Sequence, residues 1–271
     1  MTAGDVYVVK GSTAARQCVA FDGTDDYVLA DAHAVARVAA NDTVGTYTAR
    51  IFLDDATGTN CILSAGDNDN TNEWLKLLVE TSILKVQLRH AGATQFLVVE
   101  KTGSIPSKKW THIAVVQNGT RPILYVEGLP VAMTDDGATD LTFWYDELTL
   151  TDKFAIGVLE SNNTHTQDFA GMICQVRYWN KDLTASQILT DSNGGTADPA
   201  VTAALKLDLP MATDMLDDSG EGDTGTPTGH AYLCGWGSEW SRQIELNALV
   251  ADDLQTTEYP GGAMTTILKA A

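Results

Sequence analysis

Seven consecutive residues, Asp67-Asn68-Asp69-Asn70-Thr71-Asn72-Glu73, crowd hard oxygen donors into one loop just before Trp74. Carboxylate and amide oxygens in that density suit Ca2+ better than a transition metal, which favours nitrogen or sulfur. Asp67, Asp69, Asn72 and Glu73 are the candidate ligands. The spacing is not that of an EF-hand loop, and a solvated turn held by Asx side chains would use the same residues. A second acidic stretch, Asp217 to Asp223, is interrupted by glycines and suits a flexible loop better.

Carboxylate chemistry has little to work with elsewhere. Asp135-Asp136 and Asp146-Glu147 are adjacent pairs, and neighbours on a strand point to opposite faces. No Gly-x-Ser-x-Gly elbow, HExxH pair or phosphate-binding glycine loop occurs. His112 lies inside an apolar run and is expected to be structural. The chain is therefore expected not to be an enzyme. Trp144, Tyr145, Trp236 and Trp240 offer rigid rings that could stack on a sugar or meet a partner, core packing being the ordinary alternative. Asn41, Asn118 and Asn162 each open an Asn-x-Thr triplet, which has little weight without a visible signal peptide.

The 271 residues can bury a substantial core, and 44% hydrophobic with 20% charged residues describes a folded chain. With 36 acidic against 17 basic residues the formal charge is −19, which argues against nucleic acid or anionic lipid as a partner. No apolar run reaches the roughly 18 residues of a membrane span, so membrane insertion is not expected. The first residues lack a basic n-region followed by an apolar h-region. Cys18, Cys61, Cys174 and Cys234 are too dispersed for a CxxC motif and are expected to be buried free thiols.

These residues must be held by β-structure. Short alternating runs recur at Thr46–Leu53, Cys61–Ala65, Trp74–Glu80, Leu84–His90, Gln95–Val99, Thr111–Gln117, Ile123–Val126 and Phe154–Val158. Asx and glycine turns separate them. Residues 31 to 42 are rich in Ala and Val and read as a helical turn or a loop. Phe169–Leu189 joins an alternating strand to a helix start, because Thr184 and Gln187 have the spacing of a capping box. Its alternation places Met172, Cys174, Val176 and Tyr178 on one face. Cys18–Val28 reads as strand, turn, strand around Asp22-Gly23.

Three stretches carry a family resemblance. Val19 to Val28 resembles the "FDG-x-DDYV" opening of laminin-G-like, concanavalin A-like jelly rolls. Lys109 to Val115 with Leu124 to Gly128 resembles their "W-T-H-I-A-V … L-Y-V-D-G" hairpin, and Phe169 to Leu189 resembles their closing strand and helix. One departure is Cys174-Gln175, where relatives commonly carry Asp-Glu. The resemblance implies binding, spacer or glycosidase roles; the Glu-x-Asp-x-(x)-Glu strand of the glycosidases is not found here.

The expected fold is all-β: a two-sheet antiparallel β-sandwich of the concanavalin A-like jelly-roll type, with a short helical turn and terminal arms. Residues 1–16 would form an N-terminal arm, 17–198 the laminin-G-like jelly roll, and 199–271 a C-terminal extension of edge strand, Gly/Asp-rich loop and arm. Leading the functional readings is a non-enzymatic virion-surface protein, a phage capsid decoration or fibre component, homo-oligomeric and contacting neighbouring virion proteins. The alternative is a secreted or cell-surface, calcium-assisted, lectin-like module that binds a cell-surface glycan.

Overall fold

Apolar alternation with a period of two gives half-buried strands, and antiparallel pairing of such strands buries their apolar faces between two sheets. The structure, a computed structural model, describes residues 5–8, 17–137, 139–194, 199–211, 214–235, 254–258 and 264–269. In chain order it starts with β1 (Asp5–Val8), β2 (Gln17–Asp22), β3 (Tyr27–Leu29) and helix α1 (Asp31–Ala40). Next come β4 (Gly45–Leu53), β5 (Thr59–Gly66), β6 (Trp74–Glu80), β7 (Ile83–His90) and β8 (Ala93–Glu100). Then follow β9 (Trp110–Gln117), β10 (Pro122–Val126), β11 (Leu129–Pro130) and β12 (Met133–Asp135). Later strands are β13 (Lys153–Ile156), β14 (Leu159–Ser161), β15 (Thr164–Thr166) and β16 (Ala170–Trp179), before helices α2 (Ala185–Ser192) and α3 (Pro199–Thr202). Last are β17 (Leu205–Leu209), β18 (Thr226–Thr228), β19 (Tyr232–Gly235), β20 (Leu254–Glu258) and β21 (Met264–Lys269).

One sheet runs β11-β10-β9-β4-β16-β2-β19, with β17 also on β16, and the other runs β12-β8-β7-β6-β5-β13-β3-β18. All their ladders are antiparallel, as expected for the sandwich. Between them lie Tyr47, Ile51, Leu63, Leu77, Val86, Phe96, Trp144 and Phe154, each essentially shielded from water. Burial of each such side chain contributes about 1.5–3 kcal/mol.

Three local readings change. The strands flanking Asp22-Gly23 exist but are not partners, since β2 belongs to one sheet and β3 to the other. The crossing is held by Asp26, whose buried carboxylate accepts the Asp22 N–H at 2.8 Å and also the His230 N–H. Residues 31–40 form a full helix, closed by Asn41 in the left-handed region at φ 58°. In β16 the register against β4 shifts between Cys174 and Arg177, with Gln175 at φ 53°. That bulge reverses the phase of the alternation, so Ile173 faces the core before it and Val176 and Tyr178 after it. Gln175 Oε1 accepts from Arg50 Nε at 2.7 Å. Beyond residue 198, β17 pairs with β16, β18 with β3 and β19 with β2.

The capping box at α2 forms as its spacing predicts: Thr184 Oγ1 accepts the Gln187 N–H at 3.3 Å, and Gln187 Oε1 accepts the Thr184 N–H at 2.9 Å. β1 pairs with β21 and β21 with β20, so segments from the two ends of the chain share a three-stranded sheet. Cys18, Cys61 and Cys174 are buried, and burial pushes the Cys61 thiol up to about 12.

A chain of buried polar groups crosses the core. His33 Nδ1 lies 3.3 Å from Asp223, its Nε2 lies 2.8 Å from the Tyr47 hydroxyl, and Tyr47 meets Tyr145. Burial holds His33 below its ordinary range, with Asp223 opposing the shift. The unfolded chain therefore binds a proton near pH 6.5 that the folded chain refuses. Stability from this group is full above pH 6.5 and falls as the pH drops below it, by up to about 1.4 kcal/mol per pH unit. Denaturant titrations at several pH values should show a shallower loss in His33→Gln; identical slopes would exclude His33 as the source.

Candidate functional site

Because Leu75, Leu77 and Val79 of β6, Leu84, Val86 and Leu88 of β7, and Phe96 and Val98 of β8 fill the core, the alternate side chains project from the far face of the same sheet. β6 presents Trp74, Lys76, Leu78 and Glu80; β7 presents Ile83, Lys85, Gln87 and Arg89; β8 presents Thr94, Leu97 and Val99. A register shift between Leu88 and Arg89 puts Arg89 opposite Thr94, with Trp74 across from it on the other side.

The β14–β15 hairpin forms a wall beside this face. Ser64 of β5 donates to the Val158 carbonyl at 2.9 Å and accepts the Glu160 N–H at 3.0 Å, and Leu159 packs with Cys61 and Trp74. Gly66 permits the approach, since a Cβ there would fall 2.2 Å from the Glu160 carbonyl oxygen.

Three cations stand on the face of a strongly acidic chain, and they are not equivalent. Lys76 is buried, donates to Gln167 Oε1 at 3.2 Å, and sits 4.6 Å from the centre of the Trp74 ring. Burial lowers its pKa. Lys85 is paired with Glu80, the one acidic side chain among the outward residues of β6, β7 and β8. Arg89 has no ion-pair partner among the described residues, and its Nε is buried without a hydrogen-bond acceptor. Beside it, Gln87 Nε2 donates to Thr94 Oγ1 at 3.3 Å.

The Asp67–Glu73 loop is a network of turns. Asp69 N–H donates to Asp67 Oδ1 at 2.9 Å, and Asp67 N–H donates to the Glu73 carbonyl at 3.1 Å. The Asn72 carbonyl accepts Gly92 N–H at 3.1 Å. Glu73 is buried, accepts Leu150 N–H at 2.8 Å on one carboxylate oxygen, and has His90 Nδ1 3.1 Å from the other. An ion here would share carboxylates that already tie the loop to two neighbours.

Trp144 and Tyr145 are corrected by the structure from surface contacts to core residues, both 0% exposed. Trp144 Nε1 donates to the Tyr178 hydroxyl at 3.2 Å, and a Cβ on Gly45 would lie 2.6 Å from that nitrogen. Trp236 and Trp240 lie outside the described residues. Among the described residues, three metal-ligating side chains converge at Asp25, Asp26 and His230. Asp26 there is already committed to two backbone N–H groups. Sequence reasoning missed Lys76, Gln87 and Arg89, although the available signal was cationic and amide side chains alternating along two core strands of an acidic chain.

The two-sheet antiparallel sandwich is a lectin-like jelly-roll fold. The chain belongs to the concanavalin A-like lectin/glucanases superfamily, which it matches over residues 22–189. Among solved structures it is similar to the CBM40 domain of a Ruminococcus gnavus IT-sialidase bound to alpha2,3 sialyllactose. That match has 16% identity and a TM-score of 0.54, and covers 67% of this chain and all of that one. A Bacteroides ovatus protein proposed to bind carbohydrate is 18% identical with a TM-score of 0.54, over 82% of this chain and 60% of that one. A heptameric SAP-like pentraxin from Limulus polyphemus is 13% identical with a TM-score of 0.53, over 83% of this chain and 97% of that one. At these identities the likeness concerns the fold. No curated protein matches the sequence.

Proposed function

We propose that this chain is a non-catalytic glycan-binding module, acting outside the cell or at a cell surface, and that the outer face of β6, β7 and β8 is its binding surface. The carrying observation is the part-exposed polar group Gln87, Arg89 and Thr94, set among apolar neighbours beside the β14–β15 wall. Fixed polar groups on a rigid strand face can orient a saccharide at little entropic cost. The fold-level likeness to a sialyllactose-bound module supports the same choice. These comparisons bear on the glycan reading and not on the virion-surface one. Calcium assistance through Asp67, Asp69, Asn72 and Glu73 is a separate proposal.

The test is an array of neutral and acidic oligosaccharides, probed once with calcium and once with chelator. Binding is expected on a defined subset, weakened about tenfold by Gln87→Ala, since losing a well-placed amide costs about 1.4 kcal/mol. A calcium requirement would show as hits lost in chelator. An array with no hits in either condition would remove the glycan reading.

A further inference from the structure

We propose that the saccharide received by this face carries a carboxylate and that Arg89 is the group that reads it; this rests on the glycan-binding reading and names its ligand class. The chain has more than twice as many acidic as basic residues, yet the outward residues of its three adjacent strands present three cations and one acid. That acid, Glu80, is used by Lys85, and Lys76 is held by Gln167 and the Trp74 ring. Arg89 is left with charge to spare. Its cross-strand neighbours, Trp74 and Thr94, are neutral, and no carboxylate of the described residues lies within ion-pair range.

A guanidinium presents parallel N–H donors that match the two oxygens of a carboxylate, and this geometry is worth more than a hydrogen bond to a neutral hydroxyl. The side chain is only partly buried and its charge is unpaired, so the guanidinium can meet a ligand carboxylate at the sheet face. A neutral sugar can supply the acceptor but not the opposite charge. Long-range repulsion from an acidic protein would disfavour any anionic ligand lacking such a receptor, so the local cation also sets specificity.

The experiment uses the full chain and a panel of hexuronic- and nonulosonic-acid oligosaccharides, each paired with its carboxyl-reduced form, with sulfated neutral oligosaccharides alongside. Calorimetric titration at low and moderate salt is expected to show at least one acidic sugar binding tenfold or more tightly than its reduced partner. The preference should shrink with salt and collapse in Arg89→Gln, and Arg89→Lys should recover only part of it because the fork is lost. Gln87→Ala should weaken acidic and reduced forms alike. Equal affinity for both forms overturns the carboxylate assignment and leaves glycan binding standing. Preference for sulfated sugars overturns it too, and binding of no saccharide removes both proposals. The paired-ligand comparison uses unaltered protein, so a poorly folding Arg89 variant does not blunt it.

Discussion

Replacing Arg177 by methionine is expected to cost about 2–3 kcal/mol of folding stability, below the roughly 3–5 kcal/mol found when one member of a fully buried ionic network is removed, because all three residues are only partly buried. Arg177 bridges two carboxylates, Asp191 at 2.8 Å from Nη1 and Asp208 at 2.9 Å from Nε. Burial opposes its charge, but Asp208 and Asp191 outweigh burial and hold its pKa above the usual value. The two acids behave differently. Burial also opposes the charge of Asp191, yet His112 and Arg177 together pull its pKa below the usual range. Asp208 lies above it, because burial outweighs its attraction to Arg177. Without the guanidinium both would be left in a poorly solvated place with too few donors. Removing the exposed Arg121–Asp135 pair should cost no more than about 1 kcal/mol, because water screens it. Urea denaturation of both variants measures the contrast, and a loss below about 1 kcal/mol for Arg177→Met would mean that solvent already reaches the network.

The network also shows what was legible in the sequence. Thr184 and Gln187 announced the start of α2 because a capping box is a local device, complete within four residues. The family-like stretches around Val19, Trp110 and Phe169 carried the fold, since they contain core positions of both sheets. The bulge at Gln175 was hidden, as an inserted residue leaves no mark on an alternation that simply resumes in the opposite phase. The partnership of Arg177 with Asp191 and Asp208 was equally hidden, being made by α2 and β17 returning over β16. Arg89 was placed on a strand but not on a face that mattered. Its significance lies in what its neighbours lack, and composition averaged over 271 residues conceals a local excess of positive charge.

Trp144→Ala is expected to be more damaging, at about 3–5 kcal/mol, the range for truncating a large buried aromatic. The ring has no exposed surface and packs with Tyr47 and Tyr145, their centroids 6.2 and 6.0 Å away. Its loss would open a void next to Gly45, whose own hydrogen leaves no side chain to fill it. Tyr178 would keep Asp42 as acceptor at 3.2 Å but lose the indole donor. Lost glycan binding in this variant would therefore report unfolding and not a missing contact. Trp144→Phe separates the two, because it retains most of the volume while removing the indole N–H and part of the fused ring. It is expected to lower stability by about 1–2 kcal/mol, the cost of a buried hydrogen bond plus a small void, while ligand affinity per folded molecule stays unchanged. Stability from thermal melts and affinity from titration give the two numbers independently. An affinity drop of tenfold or more in folded Trp144→Phe would return Trp144 to the binding surface and contradict its place in the core.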